Sequence, residues 1–225
     1  MGLIGTDVSE IMKNILYGAG PPWGSIAKWK IVNRDLAYLI HRHYDELKIV
    51  MKLARDLETR LALIFSLLDD LCSVTCPWCP DPCCLTAEVW IDFKDLLFLH
   101  LGGHPIPDKQ LRSNSKKVCH CWSSKGCVLP RISRPWICTW YLCPTQQANL
   151  RQKARHTQDE FNRLVQAVKV CRTEMEDEFI RIVCGVWWSR GLQQWSKYKL
   201  IPMIDINMGL QIKRNGVKSW HYFPT

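Results

Sequence analysis

The sequence lacks any run of about 18 apolar residues, so no bilayer-spanning helix is expected. The first residues contain no positively charged segment followed by a long apolar run, so no secretory signal is expected. A cytoplasmic location follows as the expectation, and in that compartment thiols stay reduced. There is no long block of Lys or Arg, the basic residues being scattered between Lys109 and Arg155 and in the C-terminal tail, and no repeat with a period of 20–50 residues, which argues against a solenoid. No glycine-rich phosphate or dinucleotide loop is present, and no acid/base pair stands at helical spacing.

Glycine and proline are also missing from two long stretches, and this absence is informative. From Asp35 to Asp70 neither residue occurs. Leu36, Ile40, His43, Leu47, Val50, Ala54, Leu57, Leu61, Ile64 and Leu68 recur at steps of four and three, a heptad seam. Asn33 is placed to cap this helix. From Thr145 to Val183 glycine and proline are again absent, and Ala154, Thr157, Phe161, Leu164, Val168, Cys171, Met175 and Ile182 form a similar seam ending before Gly185. A helix of the first length would extend about 50 Å, too far to stand alone in a small domain. Two matched helices joined by a compact insert predict an antiparallel hairpin. The same pattern also permits a homodimer through the long helices, as an intermolecular coiled coil.

The expected fold class is therefore mainly α. Residues 1–33 form an N-terminal segment, 34–71 a long helix, 72–144 an irregular cysteine-rich region, 145–184 a second long helix, and 185–225 a C-terminal tail. Asn215-Gly216 between two apolar runs predicts a short β-hairpin in that tail. Inside the insert, Asp92 and Asp95 suggest a capping box for a short helix carrying Leu96, Leu97 and Leu99, with Gly102 and Gly103 as its stop.

Cysteine is what the chain has in abundance, 12 residues in all. Ten lie between 72 and 143: Cys72, Cys76, Cys79, Cys83, Cys84, Cys119, Cys121, Cys127, Cys138 and Cys143. Cys171 and Cys184 fall on the second long helix, where a small buried hydrophobe is expected. Cys76-Pro-Trp-Cys79 has the CxxC spacing that lets two thiolates meet one ion, and thiolates suit zinc and iron–sulfur iron. Folding around metal would also explain why the insert has little apolar periodicity of its own. A metal-free cluster, a disulfide scaffold and a thioredoxin-like dithiol are the alternatives, and His120 is a further candidate donor.

The run Cys76-Pro-Trp-Cys79-Pro-Asp-Pro-Cys83-Cys84 resembles the signature of the CxxCxxCC (YkgJ-type) cysteine-cluster family, described as a zinc- or iron-chelating domain. Gly126-Cys127, Arg134-Pro135-Trp136-Ile137-Cys138 and Tyr141-Leu142-Cys143 are similar to that family's closing pattern. The resemblance covers residues 72–144. It implies a ligand set of Cys76, Cys79, Cys83, Cys84, Cys119, Cys127, Cys138 and Cys143, with zinc or iron, including an iron–sulfur cluster, as cofactor. Pro80-Asp81-Pro82 is one residue longer than the family's usual spacing, and Cys72 and Cys121 are extra donors that could replace neighbours in the set. An Arg134 near thiolates would offset their charge.

A metal-binding protein is the leading expectation, with metal ions as its partners. A metal-dependent enzyme such as a protein methylase is implied by the resemblance. The formal net charge of +9, with basic residues interleaved among Trp122, Trp136, Trp140 and Tyr141, also allows a nucleic-acid-binding module.

Overall fold

The computed structural model describes residues 8, 11–12, 23–79, 85, 89–111, 119–123, 126–152 and 155–191. The described chain is mainly helical. Its elements are α1 (Ile26–Arg42), α2 (Lys48–Thr75), α3 (Phe93–Gly102), β1 (Trp122–Ser123), β2 (Gly126–Cys127), α4 (Ile137–Trp140), α5 (Pro144–Gln152) and α6 (Arg155–Gly191). Single 3₁₀ turns follow α2 at Cys76–Trp78 and precede α4 at Arg131–Ser133. Among the described residues, no helix is long and apolar enough to cross a membrane. The C-terminal β-hairpin expected around Asn215-Gly216 lies outside the described residues.

The helical hairpin is present, with α2 packed most extensively on α6. Its antiparallel sense follows from two pairs of neighbours. At the C-terminal end of α2, Cys72 and Cys76 meet Gln146 on α5. A few turns earlier on α2, the carbonyl of Leu53 accepts from the thiol of Cys171 on α6, at 3.6 Å. The seam residues Leu47, Val50, Ala54, Leu57, Leu61, Ile64 and Leu68 are all buried within this single chain. Phe161, Val168, Cys171, Met175, Phe179 and Val183 are the buried apolar residues among the described side chains of α6. The α2 part of the seam is thus buried within the one chain, most extensively against α6.

Three boundaries differ from the heptad reading. The first long helix is two helices, separated at 43–47, where His43 leaves helical geometry (φ −108°, ψ 25°). Backbone bonds from His43 N to Leu39 O and from Leu47 N to His43 O hold the turn, so the seam continues through it. α1 also starts earlier than expected, because Ser25 rather than Asn33 is its cap, its Oγ accepting from Lys28 N. Asn33 is inside α1, donating to the Trp29 carbonyl and accepting from the His100 ring on α3. α6 runs to Gly191 and passes through Gly185, since one glycine costs a helix only about 1 kcal/mol.

The insert is pinned to this frame. Asp92 and Asp95 form the expected capping box of α3, and Gly103 closes it in the left-handed region at φ 64°. The Gln110 carboxamide accepts from Ile91 N and Leu111 N and donates to Ile91 O, which satisfies three buried backbone groups. Trp29 Nε1 donates to the Pro107 carbonyl, and Ser133 Oγ to the Pro105 carbonyl. A charge network centred on the buried Arg172–Asp95 pair joins α3 to α6. Arg172 donates to Asp95 at 2.5 Å and to both oxygens of Asp92 at 3.0 Å, while Lys94 pairs with Glu176 at 3.1 Å.

Candidate metal centre

Helical geometry places Cys72 and Cys76, four residues apart, on one side of the chain as α2 ends. Thr75, between them, returns its hydroxyl to the Leu71 carbonyl at 2.6 Å, so the backbone stays wound up to Cys76. Cys76 opens the 3₁₀ turn and is exposed, while Cys72 is half-buried.

Cys143 reaches the same place from the other direction. In Cys143-Pro144-Thr145-Gln146 the cysteine occupies the helix cap and proline the first helical position. Cys143 Sγ accepts from Gln146 N at 3.5 Å, and Gln146 Oε1 accepts from Cys143 N at 3.3 Å. This is a capping box in which a thiol stands in place of the usual hydroxyl. The other end of the same carboxamide donates to two sulfurs, Cys72 Sγ at 3.4 Å and Cys76 Sγ at 3.6 Å. One buried glutamine therefore touches Cys143, three residues before it, and Cys76 and Cys72, 70 and 74 residues before it.

The electrostatics of this group are asymmetric. A hydrogen bond from the Cys76 thiol, with help from the Arg131 guanidinium and Gln146, brings Cys72 down to about 6 despite its burial. Cys76 is held far above the ordinary thiol range by its bond to Cys72, by burial and by the neighbouring sulfurs. The two shifts are opposite in direction, so the pair favours ionisation of one thiol over ionisation of both. The cation beside Cys72 is Arg131, which also pairs with Asp69. Arg134, the residue expected to offset thiolate charge, donates instead to the carbonyls of Leu129 and Cys127, at 3.1 and 3.4 Å.

A second thiol group forms around the β1–β2 hairpin. Antiparallel pairing puts Trp122 opposite Cys127, and Gly126 takes a positive φ of 104°, a conformation open to glycine. Val128 N donates to Cys121 O and Trp122 N to Cys119 O, at 2.8 and 3.1 Å. Cys119 and Cys121 are buried and Cys127 is half-buried. Burial, followed by the charges of Cys119 and Cys127, pushes the Cys121 thiol up to about 12. His120 Nδ1 is 2.9 Å from the Leu111 carbonyl, so that nitrogen is engaged by backbone.

Of the eight cysteines in the expected set, Cys76 and Cys143 join the first group, and Cys119 and Cys127 the second. Cys79 is half-buried on the turn after α2, and Cys138 is half-buried on α4. Cys83 and Cys84 lie outside the described residues. Both extra cysteines, Cys72 and Cys121, stand inside a group. Cys171 is buried between the long helices as expected, and Cys184 is half-buried.

Among the described residues, no group of three or more His, Cys, Asp or Glu side chains is arranged to hold a metal ion as it stands. The donor chemistry nevertheless fits a soft ion. Three sulfurs are gathered about one glutamine, two at its side-chain amide and one at its backbone N–H, and the exposed Cys76 leaves the group open to solvent. The aromatic residues nearby are engaged in packing. Trp136 lies 5.7 Å from the Arg172 guanidinium and donates its backbone N–H to Asp95, and Trp140 meets Tyr141 edge-on.

No family model, no curated protein and no solved structure matches the chain. The resemblance to the CxxCxxCC family accordingly rests on the cysteine pattern alone.

Proposed function

We propose that this chain is a metal-binding cysteine-cluster protein of a reducing, cytoplasmic compartment, holding zinc or iron, the latter including an iron–sulfur cluster, at the thiol end of its helical hairpin. One observation carries the reading. Two sulfurs from the end of α2 accept from the side-chain amide of Gln146 and the Cys143 sulfur accepts from its backbone N–H, although Gln146 stands 70 residues after Cys76. Ligand-spaced thiols kept reduced and brought together across a fold suit metal ligation better than core packing, and Cys76 is exposed. Zinc bound there would cross-link the two long arms, while an iron–sulfur cluster would add one-electron chemistry. The packing of Trp136 on Arg172 and of Trp140 on Tyr141 favours a structural role for these rings over base stacking.

Elemental analysis of the full chain, purified without oxygen or chelators, tests the proposal. At least one zinc or iron per chain is expected, with brown colour and visible absorbance if the metal is an iron–sulfur cluster. Protein that neither retains zinc or iron nor takes up either from solution would overturn it.

A further inference from the structure

The family pattern assigns Cys76 to a set with Cys79, Cys83 and Cys84, and leaves Cys72 out. Among the described residues, Cys76 stands instead with Cys72 and Cys143 about Gln146. We infer that Cys72, Cys76 and Cys143 are ligands of one thiolate metal site, with Gln146 as its positioning residue, separate from the group at Cys119, Cys121 and Cys127. This rests on the metal-binding reading and adds to it a ligand, a partition and a role for an amide.

Four observations support it. Cys72 and Cys76 are one helical turn apart, and both sulfurs accept from the same Gln146 Nε2. The third sulfur, Cys143 Sγ, accepts from the backbone N–H of that same glutamine. Gln146 is itself fixed, because its Oε1 accepts from Cys143 N and it is buried in the first turn of α5. The second group is built from other parts, a two-stranded hairpin whose backbone bonds run among Cys119, Cys121, Trp122 and Val128.

Soft divalent ions such as zinc take sulfur ligands tetrahedrally. Three protein sulfurs leave one position for a fourth donor or for solvent, and the exposed Cys76 side supplies an access route. Gln146 need not leave on metal binding. Its N–H groups already point at the sulfurs, and N–H donors to metal-bound thiolates orient them and spread their charge. Extending the helix cap through a thiol couples the site to the start of α5, so metal occupancy and the order of that helix end should be linked.

The test is a cobalt(II) titration of the reduced full chain, read by thiolate-to-cobalt charge-transfer absorbance and followed by displacement with zinc. Wild type, Cys72→Ser, Cys143→Ser, Gln146→Leu and, as a control thiol, Cys184→Ser are compared. Cys72→Ser and Cys143→Ser should each lose one equivalent of bound cobalt. Gln146→Leu should keep the stoichiometry but bind about 10–100-fold more weakly, the usual effect of removing a residue that orients ligands. Cys184→Ser should match wild type. To separate ligation from any folding defect of a serine variant, a second measurement uses wild type alone: zinc should protect Cys72, Cys76 and Cys143 from alkylation as one set, located by mass spectrometry. If cobalt binds wild type but Cys72→Ser leaves its stoichiometry, affinity and absorbance unchanged, the site assignment fails while the metal-binding reading stands. If zinc protects Cys76 without Cys72, the assignment fails in the same way. If wild type binds neither cobalt nor zinc, both fail.

Discussion

Replacing Arg172 by methionine should be one of the most damaging single changes outside the apolar core. The Arg172 side chain is 6% exposed, and it donates to Asp95 at 2.5 Å and to both oxygens of Asp92 at 3.0 Å. Burial alone would pull the guanidinium down, but the Asp95 and Asp92 charges outweigh it and hold it protonated. Burial pushes the Asp95 carboxyl up to about 7, with Arg172 pulling the other way. Methionine keeps much of the volume but leaves Asp95 buried with only the N–H groups of Asp92 and Trp136 as donors. Breaking a buried pair from one side costs about 3–5 kcal/mol. Asp95 can relieve part of that by taking a proton, so the loss should be near the lower figure, about 3 kcal/mol. The relief is greater at lower pH, so the gap between wild type and variant should narrow from pH 8 to pH 6. Urea unfolding followed by helical circular dichroism, under reducing conditions, reads both. The double variant with Asp95→Asn should lie at least about 1 kcal/mol above the sum of the single changes, because the two groups are in direct contact. A loss below about 1 kcal/mol for Arg172→Met, with no pH dependence, would refute the reasoning.

Burial lowers the His100 pKa from 6.5 to about 4. A histidine depressed in the folded state contributes stability above its unfolded pKa and loses it as pH falls through the folded value. Wild type should therefore lose about 2 kcal/mol between pH 7.5 and pH 5, and His100→Gln should show a shallower loss in matched urea titrations. Gly103 sits at φ 64° with open space where a side chain would stand, so Gly103→Ala should cost about 1–2 kcal/mol from backbone strain alone, seen as a lower urea midpoint.

The hairpin is legible in the sequence because its seam repeats without interruption and both stretches lack glycine and proline. The same property conceals the break at 43–47, since the heptad count runs across it and no breaker residue marks it. Asp92 and Asp95 are read correctly because a capping box is a local signal that depends on residues three apart. Cys143-Pro144-Thr145-Gln146 carries the same local signal, with cysteine where serine or threonine usually stands, and that substitution hides Gln146. The grouping of the thiols is the least legible feature. Spacing along the chain favours Cys76 with Cys79, whereas the return of the second helix brings Cys143 and Gln146 to Cys72 and Cys76. Nor does sequence distinguish Arg131 from Arg134. Which arginine faces a thiol depends on the 3₁₀ turn at Arg131–Ser133, which leaves Arg131 beside Asp69 and Cys72.

Whether these thiols bind metal is read by calorimetric titration of zinc into the reduced, metal-stripped full chain. Saturable binding of at least one zinc per chain is expected, with Kd below about 1 µM, together with proton release, and its abolition when the thiols are first alkylated. Absence of saturable binding in the unmodified chain, or equal binding before and after alkylation, would contradict metal binding by these thiols.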